Sequence, residues 1–299
     1  QVLVDQASAR LWTTRLTGVQ VSTGRRQPGD ALHLDVASQF DGPLQDGLRL
    51  LQDTPLASAI GDRLQGWTGD GQVQGRFAVQ LPLRDAATPE VEAQWRVEAR
   101  QLEIPPLRAA LGDLQGAFSY SSSAGLEATD LQALFLGRRV AGSIDRHQGR
   151  QRARFSGQHS IASLLQWPML SEVPAGLAEG QLAWKAQATF DPEGTTLRIN
   201  SDLAGTRLDL PPPLGKAADA SMASELALFM ADQRQRWQFN LGADLRGIVH
   251  TGPAGLRGDL RYRSGDPQSG SAPGLSLAGR FEQLDLANWQ QWLQTYRAA

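Results

Sequence analysis

The side chains able to do chemistry are few and scattered. His33, His147, His159 and His250 stand far apart, with no HxH or HxxxH spacing and no cysteine to complete a metal set. No metal centre is expected, and the imidazoles read as surface or loop residues. Carboxylates such as Asp62 and Asp70 flank turns, where capping of backbone N–H groups accounts for them better than paired acid and base roles in glycoside cleavage. The glycines of GDGQVQG, from Gly69 to Gly75, do not join a strand to a helix as a phosphate-cradling loop must, and no G-x-S-x-G elbow presents a serine nucleophile. The reading is of a chain that is not an enzyme and carries no cofactor.

Charge points the same way. The chain has 29 basic against 31 acidic side chains, so it lacks the basic excess that a nucleic-acid partner requires. Arg138, Arg139, Arg146, Arg150, Arg152 and Arg154 crowd one turn and read first as a solvated hairpin, with lipid headgroups as the sharper alternative. Trp289 and Trp292 share a helical stripe without the basic face of a membrane-surface helix, so packing on a sheet edge or closing the trough is the preferred role. No run of about 18 apolar residues marks a membrane-spanning helix. QVLVDQASAR lacks a leading Met and a signal-peptide pattern, so the sequence is expected to begin mid-protein.

The elements that must position these residues are mostly strands. Apolar and polar residues alternate through Val91, Ala93, Trp95, Val97 and Ala99, after which the phase slips to Leu102 and Ile104, which predicts a bulge or bend. The same period carries Leu182, Trp184, Ala186, Ala188 and Phe190, then Leu197, Ile199, Ser201 and Leu203, then Trp237, Phe239, Leu241, Ala243 and Leu245. Turn signals at 191–194 and 264–274 predict hairpins or a longer loop, and antiparallel pairing is expected. Helical stripes occur at Leu56, Ile60, Leu64 and Trp67, at Ile161, Leu164, Leu165 and Trp167 before Pro168, and at Trp289, Trp292, Leu293 and Tyr296, the last capped by Asp285 or Asn288.

Lining up these pieces exposes an internal repeat. GQVQGRFAVQL at Gly71 answers GQLAWKAQATF at Gly180, and QLEIPPL at Gln101 answers RLDLPPPL at Arg207, offsets of 109 and 106 residues. A weaker third echo starts at LSLAGRFEQLDLANW. We expect one continuous segment over 1–299 with repeat units near 1–107, 108–214 and 215–299. Alternating strands have one apolar face each, and the helices are too few and short to cover roughly 18 to 22 strands of about eight to ten residues. The sheet must fold on itself as a sandwich or curl into an apolar trough. A trough would have a use, because exposing a two-chain lipid to water costs on the order of 20 kcal/mol at about 0.8 kcal/mol per methylene.

The stretch from Trp95 to Lys216, above all SDLAGTRLDLPPPLGK, resembles the YhdP family of AsmA-like envelope proteins, and GWTGDGQVQGRFAVQLPL and LDLANWQQWL look like the same family's repeats. The resemblance implies a mostly β fold, a long, twisted, curved antiparallel sheet forming an elongated groove, periplasmic and anchored in the inner membrane of a Gram-negative bacterium. It implies transfer of glycerophospholipid between inner and outer membrane, with phospholipid acyl chains as the partner. The groove lining is expected from Trp95, Val97, Phe118 and Trp184, together with Phe190, Ile199, Leu203, Trp237 and Phe239. The alternative is a structural scaffold for outer-membrane assembly, with the apolar faces buried in a closed sandwich.

Overall fold

The structure, a computed structural model, describes every residue except 1–2, 25–31, 54–63, 84–88, 171–172, 174–175, 192, 232–233, 252–254, 256, 270–272 and 298–299. Among the described residues the chain is mostly β, with seventeen strands and three α-helices. It divides into two compact units, Gln1–Gln151 and Arg152–Ala299.

The first unit is an antiparallel meander of β1 (Leu3–Leu11), β2 (Thr14–Gly24), β3 (His33–Pro43), β4 (Thr68–Pro82), β5 (Glu90–Ile104), β6 (Ala109–Ser121), β7 (Gly125–Phe135) and β8 (Arg138–His147). Each strand pairs with the next. The unit is an open ladder rather than a barrel, since among the described residues β1 pairs with β2 and not with β8. The predicted phase slip is a bulge: Gly71 pairs with Ala99 but Asp70 pairs with Gln101, so Arg100 is the extra residue and Leu102 returns to the buried side.

Helix α1 (Leu44–Asp53) packs on β3 and β4. Its Leu44 and Leu48 are buried, and the close approach of Leu44 to Gly69 leaves no room there for a side chain. In the helix's first turn the Asp46 carboxylate accepts hydrogen bonds from the Thr13 N–H at 3.0 Å, the Thr13 hydroxyl at 2.6 Å and the Thr14 hydroxyl at 3.0 Å. These bonds, led by the Thr13 hydroxyl, hold its pKa below the ordinary carboxylate range. The stripe expected from Leu56 to Trp67 lies largely outside the described residues. Of it, Leu64 begins a single turn and Trp67 precedes β4.

The second unit contains all but the first two residues of β9 (Arg150–Ser160), then β10 (Ala178–Asp191), β11 (Gly194–Ser201), β12 (Thr206–Leu208), β13 (Ser224–Ala231), β14 (Arg234–Leu241), β15 (Leu245–Thr251), β16 (Arg257–Tyr262) and β17 (Gly274–Gly279). β9 pairs with β10, and the antiparallel order continues β10–β11–β13–β14–β15–β16. The 191–194 turn signal is a tight hairpin, Asp191 pairing with Gly194.

Antiparallel pairing fails at the last strand. β17 runs parallel to β16, because the chain after Tyr262 recrosses the sheet before Gly274. The buried Asp259 carboxylate secures that crossing, accepting from the Gln268 N–H at 2.8 Å, Ser276 Oγ at 2.9 Å and Arg261 Nε at 2.8 Å.

Helix α2 (Ile161–Leu164) starts where predicted, its Ser160 side chain accepting from the Ser163 N–H. Helix α3 (Leu286–Arg297) is capped by Asp285, which accepts from the Asn288 N–H at 3.0 Å. The Tyr296 side chain lies outside the described ones. The two most similar sequence blocks also fold alike. Gly69 pairs with Leu102 at the start of β4, and Ala178 pairs with Leu208 at the start of β10. Where the first copy has the one-residue Arg100 bulge, the second has a turn at 202–205.

Candidate functional site

Cross-strand partners in a sheet project to the same face, so the registers define which side chains form a common surface. In the first unit one such row runs Leu16, Phe40, Gly75, Trp95, Phe118, Ala128 and Ile144 across β2 to β8. The next row on that face includes Phe77, Ala93, Tyr120 and Leu126. Arg76, Gln94, Ser119 and Glu127 pair on the opposite face, which is mainly polar, with alanines such as Ala78 and Ala117 among its side chains. Trp95 and Phe118 stack with ring centroids 5.6 Å apart and planes 7° apart. Phe40, Phe77, Trp95, Phe118 and Tyr120 are only half-buried, whereas Val73, Val97, Leu114 and Leu131 towards the α1 end are buried.

The second unit repeats the arrangement. One row runs Ala186, Ile199, Leu226, Phe239, Gly247, Leu260 and Leu277 across β10 to β17. A second runs Ala188, Leu197, Leu228, Trp237, Val249, Gly258 and Leu275. Leu275 and Leu277 on β17 are 54% and 47% exposed, while Leu228 at the centre is 1% exposed. Phe239 lies over Gly247, where a Cβ would fall 2.3 Å from its ring.

Of the nine lining residues expected from the sequence, eight lie on these two faces: Trp95, Val97 and Phe118 in the first unit, and Trp184, Phe190, Ile199, Trp237 and Phe239 in the second. Leu203 does not. β11 ends at Ser201, and Leu203 sits in the following turn with φ 50° and is buried there. Its apparent alternation is a coincidence of the Ser-Asp-Leu turn, in which Asp202 accepts from the Ala204 N–H. Phe40, Phe77, Leu226, Val249 and Leu260 belong to the faces but were not singled out. Their signal is the cross-strand register, which a single strand's pattern lacks.

The histidines are not uniformly peripheral. His159 on β9 is 0% exposed, and its Nδ1 accepts the Trp184 indole N–H at 3.0 Å, so it is a core residue fixing an apolar-face tryptophan. Among the described residues no group of three His, Cys, Asp or Glu could hold a metal, and no helix is long and apolar enough to cross a membrane.

The Leu-Asp-Leu-Pro-Pro-Pro-Leu-Gly-Lys run is a structural clasp. Lys216 is buried, its Nζ donating to the Thr206 carbonyl at 2.6 Å and the Ala217 carbonyl at 2.9 Å. Helix α3 docks on the run, Trp292 Nε1 donating to the Asp209 carbonyl at 2.7 Å and Trp289 Nε1 to the Pro212 carbonyl at 3.3 Å. The tryptophans thus bond to the carbonyls of a loop rather than to a sheet edge. Arg146 likewise serves its turns, donating to the carbonyls of Gly149 and Ser123.

The family described as YhdP protein matches residues 3–299. A curated protein of Escherichia coli (strain K12), "Intermembrane phospholipid transporter YhdP", is 28% identical over 182 residues, covering 57% of this chain and 14% of its own length. The chain thus spans a small fraction of that relative. No solved structure matches.

Proposed function

Because the chain belongs to the YhdP family, we propose that it is a periplasmic segment of a lipid-transfer conduit, non-catalytic, in which the apolar faces carry the acyl chains of glycerophospholipids between inner and outer membrane. One observation carries this reading: large side chains at the centre of an apolar face, Phe40, Phe77, Trp95 and Phe118 among them, keep contact with solvent. A filled sandwich would bury them fully. Each unlined methylene costs about 0.8 kcal/mol in water, so rows of this kind lower the barrier for an acyl chain lying across them.

Photo-crosslinking tests the reading. A photoreactive residue at Trp184 or Phe239 should capture phospholipid, and one at Lys185 or Gln238, on the opposite face, should not. Capture confined to Lys185 and Gln238 rejects the reading. The scaffold alternative predicts no lipid at either position and none retained in native mass spectra.

A further inference from the structure

At the end of the second unit's strands the polar face carries a row of two arginines and a histidine. Arg236 on β14 pairs with His250 on β15, and His250 pairs with Arg257 on β16. Direct cross-strand partners on one face have Cβ atoms about 5 Å apart, so the three side chains rise from one continuous row. Among the described residues no carboxylate forms an ion pair with either arginine; the Arg236 guanidinium rests over the Phe229 ring at 5.3 Å, and the Arg257 Nε is buried without a hydrogen-bond partner. Ser269, from the segment that recrosses the sheet, places its hydroxyl 3.0 Å from His250 Nε2. Among the described side chains elsewhere on this polar face, Arg198 pairs with Glu225, Arg246 with Asp266 and Arg261 with Asp259.

Two guanidinium groups flanking an imidazole, with a hydroxyl beside them, make a donor set suited to a phosphate ester, whose oxygens accept several charge-assisted hydrogen bonds. We propose that Arg236, His250, Arg257 and Ser269 form a phosphate-binding site for the headgroup of a phospholipid. Its place in the fold supports a lipid source. The next rung, one residue or about 3.3 Å along the strands, lies on the apolar face and includes Met230, with Thr195 and Gln235 as its partners. The apolar rows through Trp237 and Phe239 begin within two residues of that rung on β14, so a headgroup phosphate at this row stands near the surface proposed for acyl chains. The phosphate chemistry stands on the row itself; the lipid as its source rests on the conduit reading.

Electrostatics gives the readout. Burial and then the charges of Arg236 and Arg257 hold the His250 pKa below its ordinary value. A bound phosphate neutralises those charges and favours the imidazolium, so the His250 titration must move to higher pH. The four histidines are to be followed by NMR in the whole chain, His250 being assigned by its loss in His250→Gln, with inorganic phosphate and short-chain phosphatidylglycerol as separate probes. The expected result is an upward shift with phosphatidylglycerol, weaker with inorganic phosphate, and affinity for both reduced at least tenfold in Arg236→Gln/Arg257→Gln. An equal response to inorganic phosphate overturns the headgroup assignment. No shift with either probe, or unchanged binding by the double variant with native circular dichroism, overturns the site. Lipid captured at Phe239 with His250 unmoved sinks this site alone, and the converse sinks the conduit, and with it the lipid source, while leaving the phosphate site standing.

Discussion

At the scale of single residues, the apolar faces are built from a large side chain beside a missing one. Gly75 sits between Phe40 and Trp95 in its row, and a Cβ there would lie 2.6 Å from the Trp95 Cβ and 2.2 Å from the Gln94 carbonyl oxygen. Backbone cannot yield as a flexible side chain does, so Gly75→Ala should cost about 1–3 kcal/mol, comparable to overpacking a core. Urea denaturation of the first unit's transition measures it. A cost below the measurement error would mean that β4 and β5 can part locally and that the row is not the rigid surface described.

At the scale of elements, the parallel strand β17 depends on the Asp259 carboxylate. The Gln268 N–H, foremost, and then Arg261 and Ser276 hold its pKa below the ordinary carboxylate range despite its burial. A depressed carboxylate pKa contributes stability that is complete above the unfolded value, about 3.9, and that disappears as pH falls through the folded value. Native protein should therefore lose protection of 264–269 and β17 against hydrogen exchange as pH drops below about 4, while Asp259→Asn should show that loss already at pH 7. Equal protection in both proteins at pH 7 would show that pairing with β16 alone holds β17. The elements also mark what was legible in the sequence. Alternation revealed β5, β10 and β14, and the slip after Ala99 gave the bulge, because a period of two is a direct imprint of a half-wet sheet. Helix α1 escaped although Leu44, Leu48 and Leu51 share a stripe, since Gly47 and its shortness weakened the signal beside the 56–67 pattern. β13, with SELALFMA, has Ala227 and Phe229 on the polar side and so shows no clean alternation. The parallel β17, the His159–Trp184 bond and the docking of α3 rest on contacts distant in sequence, which no local pattern encodes.

At the scale of the whole molecule, the question is whether an apolar face is a surface or a core, and paired substitutions answer it. Phe239 is half-buried over Gly247, and Leu228, in the neighbouring row on the same face, is 1% exposed. A carboxylate placed at Leu228 loses its water and has no partner, so Leu228→Glu should destabilise by several kcal/mol, on the order of 3–5. A carboxylate at Phe239 can keep much of its hydration. Phe239→Glu should then cost only about 1–2 kcal/mol, mainly the lost apolar contact, while removing most of the phospholipid captured at Trp184. The same contrast should hold in the first unit between Val97→Glu, at 4% exposure, and Phe118→Glu, whose main loss is the stack on Trp95. Urea midpoints and native mass spectra of the four variants separate the outcomes. If Phe239→Glu and Phe118→Glu unfold the protein as readily as Leu228→Glu and Val97→Glu, the half-buried aromatics belong to a filled interior, and an acyl chain has nowhere to lie.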